Sequence, residues 1–190
     1  SVWLIFACLW LLCGCGGPVQ KETAATQKIP VTVSFDAMRE FVEAVGGDKV
    51  EVSVIIPDGT EPHAVMPKAE DMKGLHDAKV FVVNGLGMEP WADAAVKAAE
   101  NAQLIVVQAS DGVEAIANTD ADEIAEHGAQ DPHSWLSLKN AKIEVINIQK
   151  ALCKADPENH AYYEERCTAY LAKLDDLQKT YQAKFQQTAK

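Results

Sequence analysis

Residues 29–56 read IPVTVSFDAMREFVEAVGGDKVEVSVII, and their pattern decides the fold. Ile29 to Phe35 is largely apolar and β-branched, with Pro30 at its start, where a missing N–H does least harm to a sheet. From Asp36 onward Met38, Phe41, Val42 and Val45 recur at helical spacing, and Gly46-Gly47 stops the pattern. Val50 to Ile56 returns to a β-branched run that ends at Pro57-Asp58-Gly59. Strand, helix and strand in that order predict a βαβ unit, whose helix carries the chain back to begin a parallel strand.

The rhythm continues downstream. Pro67 to His76 reads as a short helix with Pro at its first position. Val80 to Val83 is a third strand running into Asn84-Gly85, Glu89 to Asn101 an Ala-rich helix, and Leu104 to Val107 a fourth strand. The expected fold class is α/β: a parallel four-stranded sheet lobe flanked by helices. Asp111 to Gln130 is polar, acidic and weakly periodic, and reads as a loop with room for one helical turn. Ala141, Val145, Ile148 and Leu152 then form one helical stripe. Asp156-Pro157 closes that helix and opens another, with Asp as N-cap and Pro at N1. Tyr163, Cys167, Tyr170, Leu174, Leu177, Tyr181 and Phe185 follow at spacings of four and three. They predict a helix of about 30 residues, roughly 45 Å long. Such a helix finds no partner inside a four-stranded lobe and reads as a spine toward a second domain.

The N-terminal stretch has another character. Val2 to Leu12 is an apolar run too short to span a bilayer, which takes roughly twenty helical residues. It leads into Leu12-Cys13-Gly14-Cys15, then Gly16, Gly17 and Pro18, the pattern of a secretion signal. The spacing Leu-x-Gly-Cys resembles the bacterial lipobox and would make Cys15 a lipidated N-terminus. Val19 to Lys28 is a small, polar tether. The expected organisation is a clipped signal peptide at 1–14, a lipid-anchored tether at 15–28, an α/β lobe at 29–155 and a spine helix at 156–190. Two cysteines, Cys153 and Cys167, lie beyond the signal region; in an oxidising compartment they could bridge, or they are two buried thiols on helices.

With 28 acidic against 17 basic residues the formal charge is −11, which argues against a nucleic-acid partner. The chain carries no G-x-S-x-G, no phosphate-cradling G-x-x-x-x-G-K-[ST], no H-E-x-x-H and no C-x-x-C. Two histidines stand out, both in Pro-containing loops. His63 follows Gly59-Thr60-Glu61-Pro62, just after the second strand, and His133 lies in Asp131-Pro132-His133-Ser134-Trp135, before the first long helix. Ligands of open α/β sheets bind at the carboxyl ends of the strands, and neutral imidazole is a good ligand for transition metals. Two imidazoles are too few for a closed zinc site. His76 and His160 read as structural or exposed.

Three blocks occur together and in order. The first is Gly59-Thr60-Glu61-Pro62-His63 with Pro67, Asp71 and Leu75, and the second runs from Ala78 to Trp91. The third is Asp131 to Ser137 with Asn140-Ala141, followed by Asp156-Pro157-Glu158-Asn159 and Tyr162-Tyr163. From about Val31 to the end the chain resembles the zinc/manganese solute-binding lipoproteins of bacterial ABC importers. That resemblance implies two α/β lobes joined by one long helix, with a single metal ion between them. It implies capture of zinc or manganese outside the cytoplasm and delivery to a membrane permease, without catalysis, by a lipid-anchored monomer. The first-lobe ligands match His63 and His133; a His or Glu and an Asp would come from a second lobe absent from these 190 residues.

Two departures from the family pattern are visible. Ala64-Val65-Met66 is apolar where the family often carries an acidic or aromatic residue. The acidic loop before His133 is short, holding Asp120, Asp122, Glu123 and Glu126 with His127, a further candidate for contact with metal. Glu89-Pro90-Trp91 and Ser137-Leu138 lean toward zinc. An exported metallohydrolase or an adhesin with a structural metal are the competing readings.

Overall fold

The computed structural model describes residues 27–60, 62 and 65–188. The expected signal and lipidation segment, with Cys15, lies outside the described residues, as does His63.

Four parallel strands form the sheet: β1 (Ile29–Val33), β2 (Val50–Val54), β3 (Val80–Val83) and β4 (Ile105–Gln108), in the order β2-β1-β3-β4. The expected α/β architecture is therefore observed. Val31 pairs with Val52 on one side and Val80 on the other, so β1 is central. The β1–β3 register starts one residue later, at Val31 and Val80; the Pro30 carbonyl accepts the Lys79 N–H at 2.8 Å, and the missing N–H of Pro30 falls before the β3 ladder begins. From β1 the chain goes to one side for β2 and to the other for β3. That reversal creates a crevice at the carboxyl ends of β1 and β3, where open α/β sheets bind ligands.

Helix α1 (Asp36–Gly46) buries Met38, Phe41, Val42 and Val45, the apolar positions of its helical period. Gly47 ends it at φ 52, and a side chain there would meet the Tyr162 hydroxyl and the Arg166 guanidinium. On one sheet face Thr32 meets Ser53 at 3.1 Å and donates to the Gly74 carbonyl at 3.2 Å. Phe81, in register with Thr32, packs against Trp91. Val31, Val33, Val80 and Val82 alternate to the other face and are at most 1% exposed. That face is covered by α1 and by α5 (Leu138–Ala155), which buries Ala141, Val145, Ile148 and Leu152 as its stripe requires.

Four details correct the sequence expectations. Residues 67–72 turn rather than coil into a helix, with Lys68 N–H held by Asp71 Oδ2 at 2.7 Å, and α2 spans only Lys73–Asp77. Helix α3 is short, Ala92–Ala98. The Glu89 carboxylate is drawn back to the end of β3, and Asn101 folds onto the carbonyls of Leu75 and Ala78. The acidic stretch contains a two-turn helix, α4 (Ala121–His127), begun by Asp120 Oδ1 accepting from Asp122 N–H at 2.9 Å. Asp156 caps no backbone group; its carboxylate accepts from Asn159 and from the Tyr163 hydroxyl, both at 2.7 Å.

The long helix is present as α6 (His160–Thr188), 29 residues or about 43 Å, after a 3-10 turn at Pro157–Asn159. Tyr163, Cys167 and Leu174 are buried against the lobe, and Lys142 ties α5 to Asp175 at 2.6 Å. Beyond Leu174 the seam is uncovered: Leu177, Tyr181 and Phe185 are exposed. Cys153 and Cys167, both buried, are free thiols here.

Leu152 is fully buried on α5. Leu152→Ala is expected to destabilise the protein by about 2–5 kcal/mol, read from urea unfolding midpoints.

Candidate metal centre

The loop that carries His133 is fixed before its chemistry begins. Ala117 and Gln130 form an isolated antiparallel bridge, and Asp131 N–H donates to the Ile116 carbonyl at 2.8 Å. Asp131-Pro132-His133 then leads into a 3-10 turn, Ser134–Leu136, and on into α5. One carboxylate oxygen, Asp131 Oδ1, accepts both the His133 backbone N–H at 2.9 Å and the ring at Nδ1 at 2.7 Å. A carboxylate only accepts, so Nδ1 carries the proton, and Nε2 is the ring nitrogen that could coordinate a metal ion. The ring lies 5.4 Å from Trp135, which packs 4.9 Å from Phe35 at the end of β1. About a third of the His133 side chain is exposed, enough for an ion to reach it. A cavity of about 260 Å³ opens beside it, with Ile116 and Leu136 forming an exposed apolar rim.

Beneath the loop is a buried polar network. Asn84, at the end of β3, donates through Nδ2 to the Pro132 carbonyl at 2.8 Å. Its backbone N–H donates to Glu89 Oε1 at 2.8 Å, and the Gly85 N–H to Glu89 Oε2 at 3.0 Å. Ser34, at the end of β1, donates to Glu89 Oε1 at 2.6 Å. Ser134 Oγ lies 2.6 Å from Glu144 Oε1 and 3.3 Å from Asn84 Oδ1. Glu144 is fully buried, and its second oxygen has no hydrogen-bond partner among the described residues. The network joins both strands of the crevice to the residues on either side of His133. Gly85 lets the chain turn there at φ 88, with Ser110 Oγ only 2.9 Å from where a side chain would begin.

Of the residues singled out from the sequence, the structure places His133 at the carboxyl edge of the sheet. His127 closes α4, its side chain outside the described set. His76 is exposed and bonds the Ala99 carbonyl through Nδ1 at 2.9 Å, and His160 is exposed beside Glu164. Among the described residues no three His, Cys, Asp or Glu side chains converge. The sequence reading gave no role to Asp131, Asn84, Ser134 or Glu144. Glu144 did carry a signal, since it stands three residues after Ala141 and four before Ile148, on the buried face of α5.

A parallel α/β lobe thus presents a carboxylate-held histidine at its switch point and continues into a long helix. The chain belongs to the family described as ZnuA, the periplasmic component A of the zinc-uptake complex, whose model matches residues 31–190. It is 35% identical over 190 residues to the high-affinity zinc uptake system protein ZnuA of Bacillus subtilis, covering 95% of this chain and 60% of that one. It is 31% identical over 192 residues to the manganese ABC transporter substrate-binding lipoprotein PsaA of Streptococcus mitis, covering 97% of this chain and 60% of that one. A crystal structure of a ZnuA deletion mutant with zinc bound superposes with a TM-score of 0.73 at 34% identity, over 81% of this chain and 57% of that one. The chain thus spans about three-fifths of the length of these relatives.

Burial pushes both Glu89 and Glu144 above the ordinary carboxylate range, and the Glu89 charge pushes Glu144 further. The native state therefore keeps a proton on Glu144 that the unfolded chain releases above its ordinary value of 4.5, so this residue costs stability as pH rises through that value. Glu144→Gln cannot ionise. It is expected to be more stable than the unsubstituted protein at about pH 7, with the gap closing near pH 4, as urea midpoints at both values would show.

Proposed function

We propose that the complete protein captures a divalent transition-metal ion outside the cytoplasm and hands it to the membrane permease of an ABC importer. The observation that carries this reading is the Asp131–His133 pair at the sheet's switch point. A carboxylate that fixes the tautomer and aim of an imidazole is the usual support of a metal-ligating histidine. In this reading His133 binds through Nε2 and His63 supplies the second ligand of this lobe. A second lobe closes over the ion with a His or Glu and an Asp. The exposed stripe of Leu177, Tyr181 and Phe185 is then the face that α6 turns toward that lobe.

Zinc is the favoured cargo and manganese the alternative, in keeping with the names of the two relatives. Two imidazoles suit zinc, and the third ligand, nitrogen or oxygen, sets the balance. Cys15 anchors the protein to the membrane by a lipid, and the protein works as a monomer without catalytic turnover. The formal charge of −11 suits a cation and disfavours nucleic acid.

Calorimetric titration of the complete protein with zinc and manganese tests this. Apparent zinc binding of about 10–16 kcal/mol shared by four ligands is about 3 kcal/mol each, so His133→Ala and His63→Ala should each weaken binding roughly a hundredfold or more. Asp131→Ala should weaken it about 10–100-fold. Unchanged affinity in His133→Ala would exclude this site.

A further inference from the structure

His133 is aimed by Asp131, but both belong to one short loop, so their shared hydrogen bond cannot fix where the loop itself lies. External anchors are needed, and the structure supplies one on each side of the ligand. Before His133, the Pro132 carbonyl accepts from Asn84 Nδ2 at 2.8 Å. After it, Ser134 Oγ meets Glu144 Oε1 at 2.6 Å. Both anchors are buried: Asn84 and Glu144 show no exposed surface, and Ser134 is 6% exposed.

The hydrogens of this network allow one arrangement that bonds Glu144 Oε1, Ser134 Oγ and Asn84 Oδ1 together. Ser134 has a single hydroxyl hydrogen, and both Glu144 Oε1 and Asn84 Oδ1 lie within its reach, at 2.6 and 3.3 Å. An ionised Glu144 takes that hydrogen and leaves Asn84 Oδ1 without it. A neutral Glu144 donates its own O–H to Ser134 Oγ, and Ser134 then donates to Asn84 Oδ1. Glu144 Oε1, Ser134 Oγ and Asn84 Oδ1 are then all bonded, and the amide of Asn84 is locked with Nδ2 toward Pro132. Glu89, the other buried carboxyl of the cluster, is held by Ser34 and by the N–H groups of Asn84 and Gly85. Neither carboxyl has a basic partner among the described residues.

We propose that Glu144 is a positioning residue for metal capture: through Ser134 and Asn84 it clamps the backbone on both sides of His133 and never touches the ion. The proposal rests on the metal-capture reading and adds to it the residue that preorganises the ligand loop. Supports one step removed from a ligand are worth about 10–100-fold in metal affinity.

Zinc titration of the complete protein by calorimetry tests it, with Glu144→Ala, Ser134→Ala, the double variant and Glu144→Gln. Glu144→Ala and Ser134→Ala should each weaken zinc binding about 10–100-fold. The double variant should be no weaker than the worse single variant, because both break one chain of bonds. Glu144→Gln should restore binding to within about threefold of the unsubstituted protein, since its Nε2 can donate to Ser134 as the neutral carboxyl does. A merely structural role would lower the fraction folded without changing the affinity of what remains. Ser134→Ala removes a single oxygen and keeps the test open should Glu144→Ala not fold. Unsubstituted affinity in Ser134→Ala or Glu144→Ala, multiplied losses in the double variant, or a Glu144→Gln as weak as Glu144→Ala would overturn the proposal while leaving metal capture standing. An unsubstituted protein that binds neither zinc nor manganese would overturn both.

Discussion

Asn84 ends the third strand with no surface exposed to water, and its side-chain amide donates to the Pro132 carbonyl, 48 residues further along the chain. The same Nδ2 also donates to the Gly85 carbonyl at 3.0 Å, and leaving its other N–H buried without a partner would cost roughly 1–3 kcal/mol, which favours the 131–134 loop lying across the carboxyl edge of the sheet. That single constraint puts His133 where β1 and β3 diverge. Trp135 reaches Phe35, Ser134 faces Glu144, and Asp131 aims the imidazole. The His133 loop is thus held by strands and a helix, which are stiffer supports than a surface loop.

The sheet decides which edge this can be. Because β2 and β3 lie on opposite sides of β1, the crevice at the carboxyl ends is the one place where neighbouring loops turn apart. Helix α5 starts at this crevice and runs back along the sheet to the turn at Asp156. There Asp156 receives Tyr163 and Asn159, fixing the angle at which α6 leaves the lobe. One pair of helices therefore connects the His133 loop to the far end of a helix about 43 Å long. The lobe is built so that loop geometry and spine direction share the same core.

Much of this was legible in the residues. The β-branched runs at 29–35, 50–56 and 80–83 read as strands of a parallel sheet, and the stripe from Ala141 to Leu152 has a helical period. Helix ends were harder to read, because side chains decided them: Asp71 turned residues 68–71 aside, and Glu89 left the helix pattern to cap the end of β3. Helix α4 is short and polar and carries almost no periodic signal. At the site, a histidine between Pro132 and Ser134 was readable as a candidate ligand, whereas the side chains that hold its loop were not. Asn84 and Glu144 lie 49 residues before it and 11 after it, and only the folded sheet brings them together.

The most direct measurement is anomalous diffraction at the zinc edge from crystals of the complete protein grown with zinc. The ion should lie about 2.0–2.1 Å from His133 Nε2, with Nδ1 still bonded to Asp131. An ion bound elsewhere, or bound to His133 through Nδ1 with Asp131 displaced, would contradict the assignment of this loop as the metal-capturing element.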